Sequence, residues 1–286
     1  MLIELAIGDA YGAAFEYAPV PFVREHNDLR AYVAHPTHGR PAGTYTDDTQ
    51  MSIAIAELMV AGEAWTPENL AAKFVEVFKR DPRTGYASSF YGFLCRIRDG
   101  SEFVAKIRPT SDKSGGAMRA PAVGLYPDLG QVIERSSLQA SLTHDTEDGR
   151  NAAVAASLMT HYCCYRLGRR ADMGRFIREH VSGRWDNPWH GKVKSKGWMS
   201  VRAAITAVSR SSSMSELLRT CVAFTGDVDT VAAVAMAAGS CCSEIEQDLP
   251  AQLVEGLENN AYGRDYLIGL DKALFTAVGL PSGPHA

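Results

Sequence analysis

The 286-residue sequence has none of the cysteine patterns that hold zinc cages or disulfide frameworks together. No two cysteines are separated by two residues, and four of the six form adjacent pairs, which rarely suit either purpose. All six lie in apolar stretches, so we expect buried small side chains in a reducing compartment. The cysteines are Cys95, Cys163, Cys164, Cys221, Cys241 and Cys242.

Other absences narrow the class of protein. The apolar runs are too short to span a membrane, and the first residues lack the basic region of a secretory signal. The net charge of -4 indicates no general affinity for nucleic acid or acidic membranes. Gly-x-Ser-x-Gly, phosphate-loop and His-Glu-x-x-His motifs are missing, so serine-nucleophile, P-loop NTPase and zincin chemistry have no support. No linker divides the chain, and we expect one cytoplasmic domain over residues 1–286.

Strict alternation of apolar and polar residues is almost absent, whereas helical spacing recurs along the chain. The sequence therefore predicts an all-α fold. Thr66 and Pro67 are typical of a helix start, and residues 214–222 and 249–257 carry apolar helix faces. Residues 20–45 have few periodic positions, and we expect them to form a mobile flap over a site.

Two short acidic clusters each open a long apolar stretch that predicts a core helix. They are Thr46-Asp47-Asp48-Thr49 and Asp227-Val228-Asp229-Thr230. Helix capping explains one such cluster, but four carboxylates at two core helix starts would repel one another unless a cation held them. An all-oxygen ligand set selects Mg²⁺, Mn²⁺ or Ca²⁺ over zinc, and the sequence lacks an EF-hand loop. A hard-metal site follows if the two clusters meet in space.

Four smaller features each allow a structural and a functional interpretation. Glu16 follows a helix with small residues on one face and is either a solvated helix end or a site carboxylate. His144 is either a structural hydrogen bonder or a site residue. Gly115 and Gly116 precede an apolar helix and either form an ordinary loop or let amides approach a phosphate. The basic, tryptophan-containing stretch 166–202 is either a solvated face with packed tryptophans or a nucleic-acid-binding surface.

Five motifs in order resemble those of the ADP-ribosylglycohydrolases, an all-α family. Each motif is short, but the set of five in the family's order is specific. The resemblance covers the chain from Gly8 to about Ser240. The motifs are Gly8-Asp9-Ala10-Tyr11-Gly12 with Glu16, Thr44-Tyr45-Thr46-Asp47-Asp48-Thr49, Gly115-Gly116-Ala117-Met118-Arg119, Thr143-His144 and Gly226-Asp227-Val228-Asp229-Thr230.

This resemblance implies a compact orthogonal helical domain that binds two Mg²⁺ ions, with Mn²⁺ as a possible substitute, and hydrolyses the ADP-ribose linkage. It also implies that Glu16 is the catalytic carboxylate that handles protons. The implied ADP-ribose pocket consists of Ser111, Gly115, Gly116 and His144. The implied metal ligands are Thr46, Asp47, Asp48, Asp227, Asp229 and Thr230.

The implied substrate is an ADP-ribosylated protein or nucleic acid, the product is ADP-ribose, and the protein is expected to be a monomer without membrane contact. ADP-ribosylarginine on a protein is the first candidate; serine-linked and nucleic-acid-linked ADP-ribose are alternatives. A further alternative is a binding module without hydrolysis, because the third motif departs from the family at Asp112, Lys113 and Ser114. Thr225 also stands where the family commonly has glycine.

Overall fold

The computed structural model of the chain describes residues 1–281. Within this range the chain forms fifteen α-helices and two 3₁₀ helices, and pairing of the β type is confined to isolated bridges, so the all-α prediction is confirmed. The 3₁₀ helices are Pro121–Leu125 and Arg170–Asp172. The α-helices, α1 to α15 in chain order, are Leu2–Gly12, Val20–His26, Asp47–Val60, Pro67–Arg80, Ser88–Arg96, Gly100–Lys106, Gly115–Met118, Leu129–Ser141, Glu147–Cys164, Met173–His180, Gly197–Arg210, Met214–Ala223, Val228–Ser240, Ala251–Gly256 and Arg264–Ala277.

The centre of the fold is the contact between α1 and α13, both of which are buried at every residue. Glycines on α1 allow this contact, as the small-residue face predicts. A Cβ atom added at Gly8 would lie 2.7 Å from the Ala232 carbonyl oxygen, and one added at Gly12 would lie 2.6 Å from Asp229 Cα. Because Cβ atoms do not approach backbone so closely, only glycine permits this packing. It brings the end of α1 beside the start of α13.

Helix starts match the sequence where capping residues mark them. The Thr66 side chain accepts a hydrogen bond of 3.2 Å from the Asn69 amide, and α4 begins at Pro67. Helices α3 and α13 begin at the two acidic clusters. Helix α12 covers the predicted face at residues 214–222, whereas α14 is shorter than the predicted 249–257.

Three expectations need correction. Residues 20–45 are not wholly irregular, because α2 occupies their beginning. The segment after Gly116 is not one apolar α-helix: α7 ends at Met118 and a 3₁₀ helix follows from Pro121, which lacks the N–H that an α-helix would use. Cys95 is exposed rather than buried, because the surface helix α5 buries only Leu94. The final five residues of the predicted domain, 282–286, lie outside the described range.

No helix among residues 1–281 is both long and apolar enough to cross a bilayer.

Candidate active site

The starts of α3 and α13, and Glu16 in the segment after α1, line one cavity of about 770 Å³. This volume is typical of a small-molecule site. The two acidic clusters therefore meet in space, which the sequence alone left open. The acidic and hydroxyl side chains from these elements that line the cavity are Glu16, Asp47, Asp48, Asp227, Asp229 and Thr230.

Negative charge in this part of the cavity is poorly compensated. Glu16, Asp227 and Asp229 each place one carboxylate oxygen within 4.8 Å of the others. The Oδ1 atom of Asp48 is buried and accepts no hydrogen bond from the described residues. Burial, reinforced by neighbouring carboxylates, raises the pKa of Asp48 and Asp229 well above the usual range and that of Asp227 to about 6. An orphaned carboxylate oxygen among crowded carboxylates fits a hard cation with oxygen ligands.

Asp9 fixes the start of α3, a role that the sequence analysis did not assign. This fully buried carboxylate accepts hydrogen bonds from the amides of Thr46 and Thr49, at 2.9 and 3.0 Å. It also accepts from both threonine hydroxyls, at 2.8 and 2.6 Å. These four bonds attach the first turn of α3 to α1, and so set the position of Asp47 and Asp48. The signal in the sequence was an acid in the middle of an apolar helix, which is rarely tolerated without partners.

Glu16 lies between the loop before α13 and the segment after α2. Glu16 forms an isolated β-bridge with Gly226, in which the Tyr17 amide donates to the Gly226 carbonyl at 2.8 Å. This bridge joins Glu16 to the second acidic cluster. His35 Nε2 lies 2.8 Å from the Glu16 carbonyl oxygen, and Arg40 Nη2 lies 3.3 Å from the Glu16 carboxylate. The irregular part of residues 20–45 thus contacts Glu16. That this segment forms a mobile flap over the site stays a prediction.

The two adjacent glycines pack closely against His144. A Cβ atom added at Gly115 would lie 3.0 Å from His144 Cε1, and one added at Gly116 would lie 3.3 Å from His144 Cβ. The amides of both glycines donate to no acceptor among the described residues. Gly115, His144 and the half-buried Ser111 line the cavity beside these free donors. The arrangement can receive an anionic or strongly polar ligand group.

His144 is buried at the end of a hydrogen-bond relay. Arg119 Nη2 donates to Thr143 Oγ1 at 2.8 Å, and this hydroxyl lies 2.7 Å from His144 Nδ1. Burial, together with the charge of Arg119, lowers the pKa of His144 to about 3. Because the Thr143 hydroxyl proton has no other acceptor among the described residues, we assign it to the bond with Nδ1, which leaves the ring hydrogen on Nε2. Arg119 was not singled out from the sequence.

Two predicted site residues do not line the cavity. The Thr46 hydroxyl is fully buried behind it, where it donates to Asp9 and accepts from the Asp48 amide at 3.4 Å. The Gly116 carbonyl is directed to Gln139 Nε2, at 2.8 Å. Both residues therefore support neighbours that line the cavity.

The exposed part of the cavity has a different character from the acidic part. Phe90 and Phe93 line it with rings 6.0 Å apart and nearly parallel. Exposed basic side chains also line it, so a ligand that spans the cavity would contact buried carboxylates at one end and cations with aromatic rings at the other. These basic residues are Arg96, Lys106, Arg108 and Lys113.

The family model described as ADP-ribosylglycohydrolase matches residues 1–283 of this chain. The chain belongs to the ADP-ribosylglycohydrolase family. It is 32% identical over 171 residues to ADP-ribosylhydrolase ARH3 of Bos taurus; the matched region covers 54% of this chain and 46% of that protein. It is 23% identical over 253 residues to ADP-ribosylarginine hydrolase Tri1 of Pseudomonas putida (strain GB-1), covering 82% and 67%.

The chain spans about half the length of the ARH3 relatives that it matches. A solved structure described as an ADP-ribosylglycohydrolase-related protein complex has the same fold, with a TM-score of 0.70, 22% identity and coverage of 97% of this chain and 96% of that one.

Of the residues Asp112, Lys113, Ser114 and Thr225, Asp112 has a structural role that involves its side chain. Asp112 forms an ion pair with Lys196, and its carbonyl accepts from the Gly197 amide at 3.1 Å. The Ser114 amide donates to the Ser195 carbonyl at 3.1 Å. These bonds connect the glycine-rich loop to the basic stretch. Asp112 is used in this connection.

The tryptophans of the basic stretch are packed. Trp185 is buried, and the rings of Trp189 and Trp198 meet edge to face at 5.9 Å under Arg202. This agrees with the structural interpretation of residues 166–202 for the aromatic side chains.

Proposed function

We propose that this protein hydrolyses the ADP-ribose linkage on a modified acceptor and uses Mg²⁺, in two sites that also accept Mn²⁺. The observation that carries the proposal is the meeting of two acidic helix starts and Glu16 at one end of a cavity of ligand size. Membership of the family and the hydrolase names of ARH3 and Tri1 support it.

In this proposal the ions are held by oxygen ligands from α3 and α13. The Thr46 hydroxyl donates its proton to Asp9 and accepts from the Asp48 amide. Its second lone pair would bind an ion. When bound, the ions would supply positive charge that orients the ribose hydroxyls of the substrate. The proposed ligands are Thr46, Asp47, Asp48, Asp227, Asp229 and Thr230.

The remaining residues bind and orient the substrate and move protons. Glu16, at the edge of the carboxylate cluster, would accept the proton of the attacking water or assist the leaving group. Negative side chains beside the anomeric carbon would stabilise the oxocarbenium-like transition state. Neutral His144 would donate through Nε2, while the amides of Gly115 and Gly116 and the side chain of Ser111 would bind polar groups of ADP-ribose.

Aromatic and basic side chains at the exposed end complement the rest of the ligand. Phe90 and Phe93 offer flat apolar surfaces to a purine, and the four exposed cations offer charge to the diphosphate. The nature of the acceptor, the cytoplasmic location, the monomeric state and a single domain over residues 1–286 stay predictions.

The test is ADP-ribose release from arginine-linked, serine-linked and nucleic-acid-linked substrates in Mg²⁺, and again with a chelator. Asp229→Ala should lower release by at least about 100-fold, as expected when a charged group acting in the transition state is lost. The control variant Asp265→Ala, at an exposed position, should leave ADP-ribose release unchanged. The proposal would be contradicted if ADP-ribose release continued in the presence of chelator and if Asp229→Ala released as much as the wild type. Tight ADP-ribose binding without release from any substrate would favour the binding module.

A further inference from the structure

Helix α11 places a buried hydroxyl against the second acidic cluster. Ser200 is fully buried, and its Oγ atom donates to Asp227 Oδ2 at 2.9 Å. Asp227 directly precedes α13 and lines the cavity, whereas Ser200 does not line it. Ser200 can therefore influence a bound ion or ligand only through Asp227.

The Ser200 hydroxyl bonds to another element rather than to its own helix. Hydroxyls inside helices commonly donate to the carbonyl four residues earlier. Thr206, on the same helix, does this and donates to the Arg202 carbonyl at 2.8 Å. Ser200 instead donates to the Asp227 carboxylate. Because the other buried side chains of α11 are mainly apolar, packing alone would be served by alanine, and the hydroxyl is explained by the carboxylate that it meets.

Backbone bonds fix the start of α11 beside Asp227. Val193, shortly before this helix, is fully buried; its amide donates to the Thr225 carbonyl at 2.9 Å and its carbonyl accepts from the Asp227 amide at 3.2 Å. A Cβ atom added at Gly226, where φ is 94°, would lie 1.8 Å from the Val193 carbonyl oxygen, so only glycine permits this approach. The short side chain of Ser200 therefore meets Asp227 from a fixed position.

Asp227 needs such support because its neighbours repel it. One of its carboxylate oxygens lies within 4.8 Å of carboxylate oxygens of Glu16 and Asp229. The side chain of Ser114, which lines the cavity, also hydrogen-bonds to Asp227. Like charges at this separation favour a carboxylate that turns away from the others. The bond from Ser200 opposes this rotation from the protein side of the site.

We propose that Ser200 is a positioning residue of the cation site, whose hydroxyl holds one oxygen of Asp227 so that the remaining lone pairs of this carboxylate face the ion; the inference rests on the metal site of the proposed function. Donors behind a ligating carboxylate fix its orientation before the ion arrives. A hydroxyl suits this role because, unlike lysine or arginine, it adds no positive charge that would repel the cation.

The experiment measures Mn²⁺ binding without substrate, from the electron paramagnetic resonance signal of the free ion. We expect Ser200→Ala to raise a Mn²⁺ dissociation constant by about tenfold or more, the usual effect of losing such a support. Alanine is smaller than serine and a better helix former, so α11 should fold normally in this variant.

Ser157→Ala is the matched control. Ser157 is a fully buried serine of α9, and its hydroxyl donates to the Ala120 carbonyl at 2.7 Å. This variant also loses a buried hydrogen bond, so its Tm should fall. Its Mn²⁺ dissociation constants should equal those of the wild type, because Ser157 supports no carboxylate.

ADP-ribose release gives a second readout. In Ser200→Ala the Mg²⁺ concentration for half-maximal release should rise by about tenfold, in line with the weaker binding. The rate at saturating Mg²⁺ should approach that of the wild type, because the ligands themselves are unchanged.

Two results would overturn the inference: an unchanged Mn²⁺ dissociation constant in Ser200→Ala, or an equal increase in Ser157→Ala. Failure of the proposed hydrolysis is distinguishable. A wild type that binds Mn²⁺ but releases no ADP-ribose would contradict the hydrolysis, whereas the Mn²⁺ comparison would still decide the role of Ser200. A wild type that binds no Mn²⁺ would contradict both.

Discussion

Asp9 positions the start of α3 at the site without lining the cavity. Asp9→Asn would replace one acceptor oxygen by an NH₂ group that faces the donors of Thr46 and Thr49. We expect a loss of about 2–3 kcal/mol in the free energy of unfolding, because two buried amides and two hydroxyls would lose a charged acceptor. Urea unfolding measures this change. Asp28→Asn, at an exposed turn, is the control and should cost under about 0.5 kcal/mol. Equal stability of the two variants would contradict the role of Asp9.

His144 should make stability depend on pH. Its pKa is about 3 in the folded chain against 6.5 for the free side chain. Between these values the unfolded chain binds more protons, so stability is complete above pH 6.5 and falls as the pH falls below it. From pH 7 to pH 5 we expect the wild type to lose about 2 kcal/mol more than His144→Gln. Denaturant unfolding at the two pH values checks this, and parallel losses in both proteins would show that His144 is protonated in the folded state.

Site residues that lie in a repeated sequence motif could be predicted from the sequence. Residues that act only through tertiary contacts could not. Asp47, Asp48, Asp227 and Asp229 were found because two acidic clusters opened two apolar stretches. The role of Asp9 depends on the packing of α1 against α3, so the sequence shows an acid in an apolar helix but not the partners of that acid. Arg40 reaches Glu16 through an irregular segment, where neither period nor capping gives a position.

At the scale of elements, the approach of α1 to α13 sets the site. Gly12→Ala would place a methyl group 2.6 Å from Asp229 Cα and push the start of α13 away. We expect a loss of about 1–3 kcal/mol in the free energy of unfolding, and weaker Mg²⁺ binding. The matched control is Gly269→Ala on α15, where a Cβ atom meets nothing within 4 Å. It should stabilise the protein by about 0.5–1 kcal/mol. If both substitutions changed the free energy of unfolding in the same direction, this account of the glycines would be contradicted.

Element boundaries were predictable where side chains terminate helices locally. Thr66 and Pro67 define the start of α4 without tertiary help. The apolar run after Gly116 has the composition of an α-helix, but Pro121 lacks the N–H that α-helical hydrogen bonding would need there. Apolar spacing alone does not tell a 3₁₀ segment in a buried environment from an α-helix.

For the whole molecule, the carboxylate cluster implies that metal binding and stability are linked. A cation that binds the folded chain alone, at 100 times its dissociation constant, adds about 2.7 kcal/mol. We therefore expect Mg²⁺ to raise the Tm of the wild type by several degrees and to leave the Tm of Asp229→Ala unchanged. In chelator, Asp229→Ala should be at least as stable as the wild type, because removing one carboxylate relieves repulsion. Scanning calorimetry at matched ionic strength measures both, and an equal Mg²⁺ response in the two proteins would contradict the site.

The most direct test of the central claim, that the two acidic helix starts form one cation site, is anomalous diffraction from crystals grown with Mn²⁺ and ADP-ribose. The account predicts anomalous peaks among the carboxylates of Asp47, Asp48, Asp227 and Asp229, with the ribose beside them, and their loss in Asp229→Ala. Peaks elsewhere, or ADP-ribose bound in the cavity without any peak at these carboxylates, would contradict it.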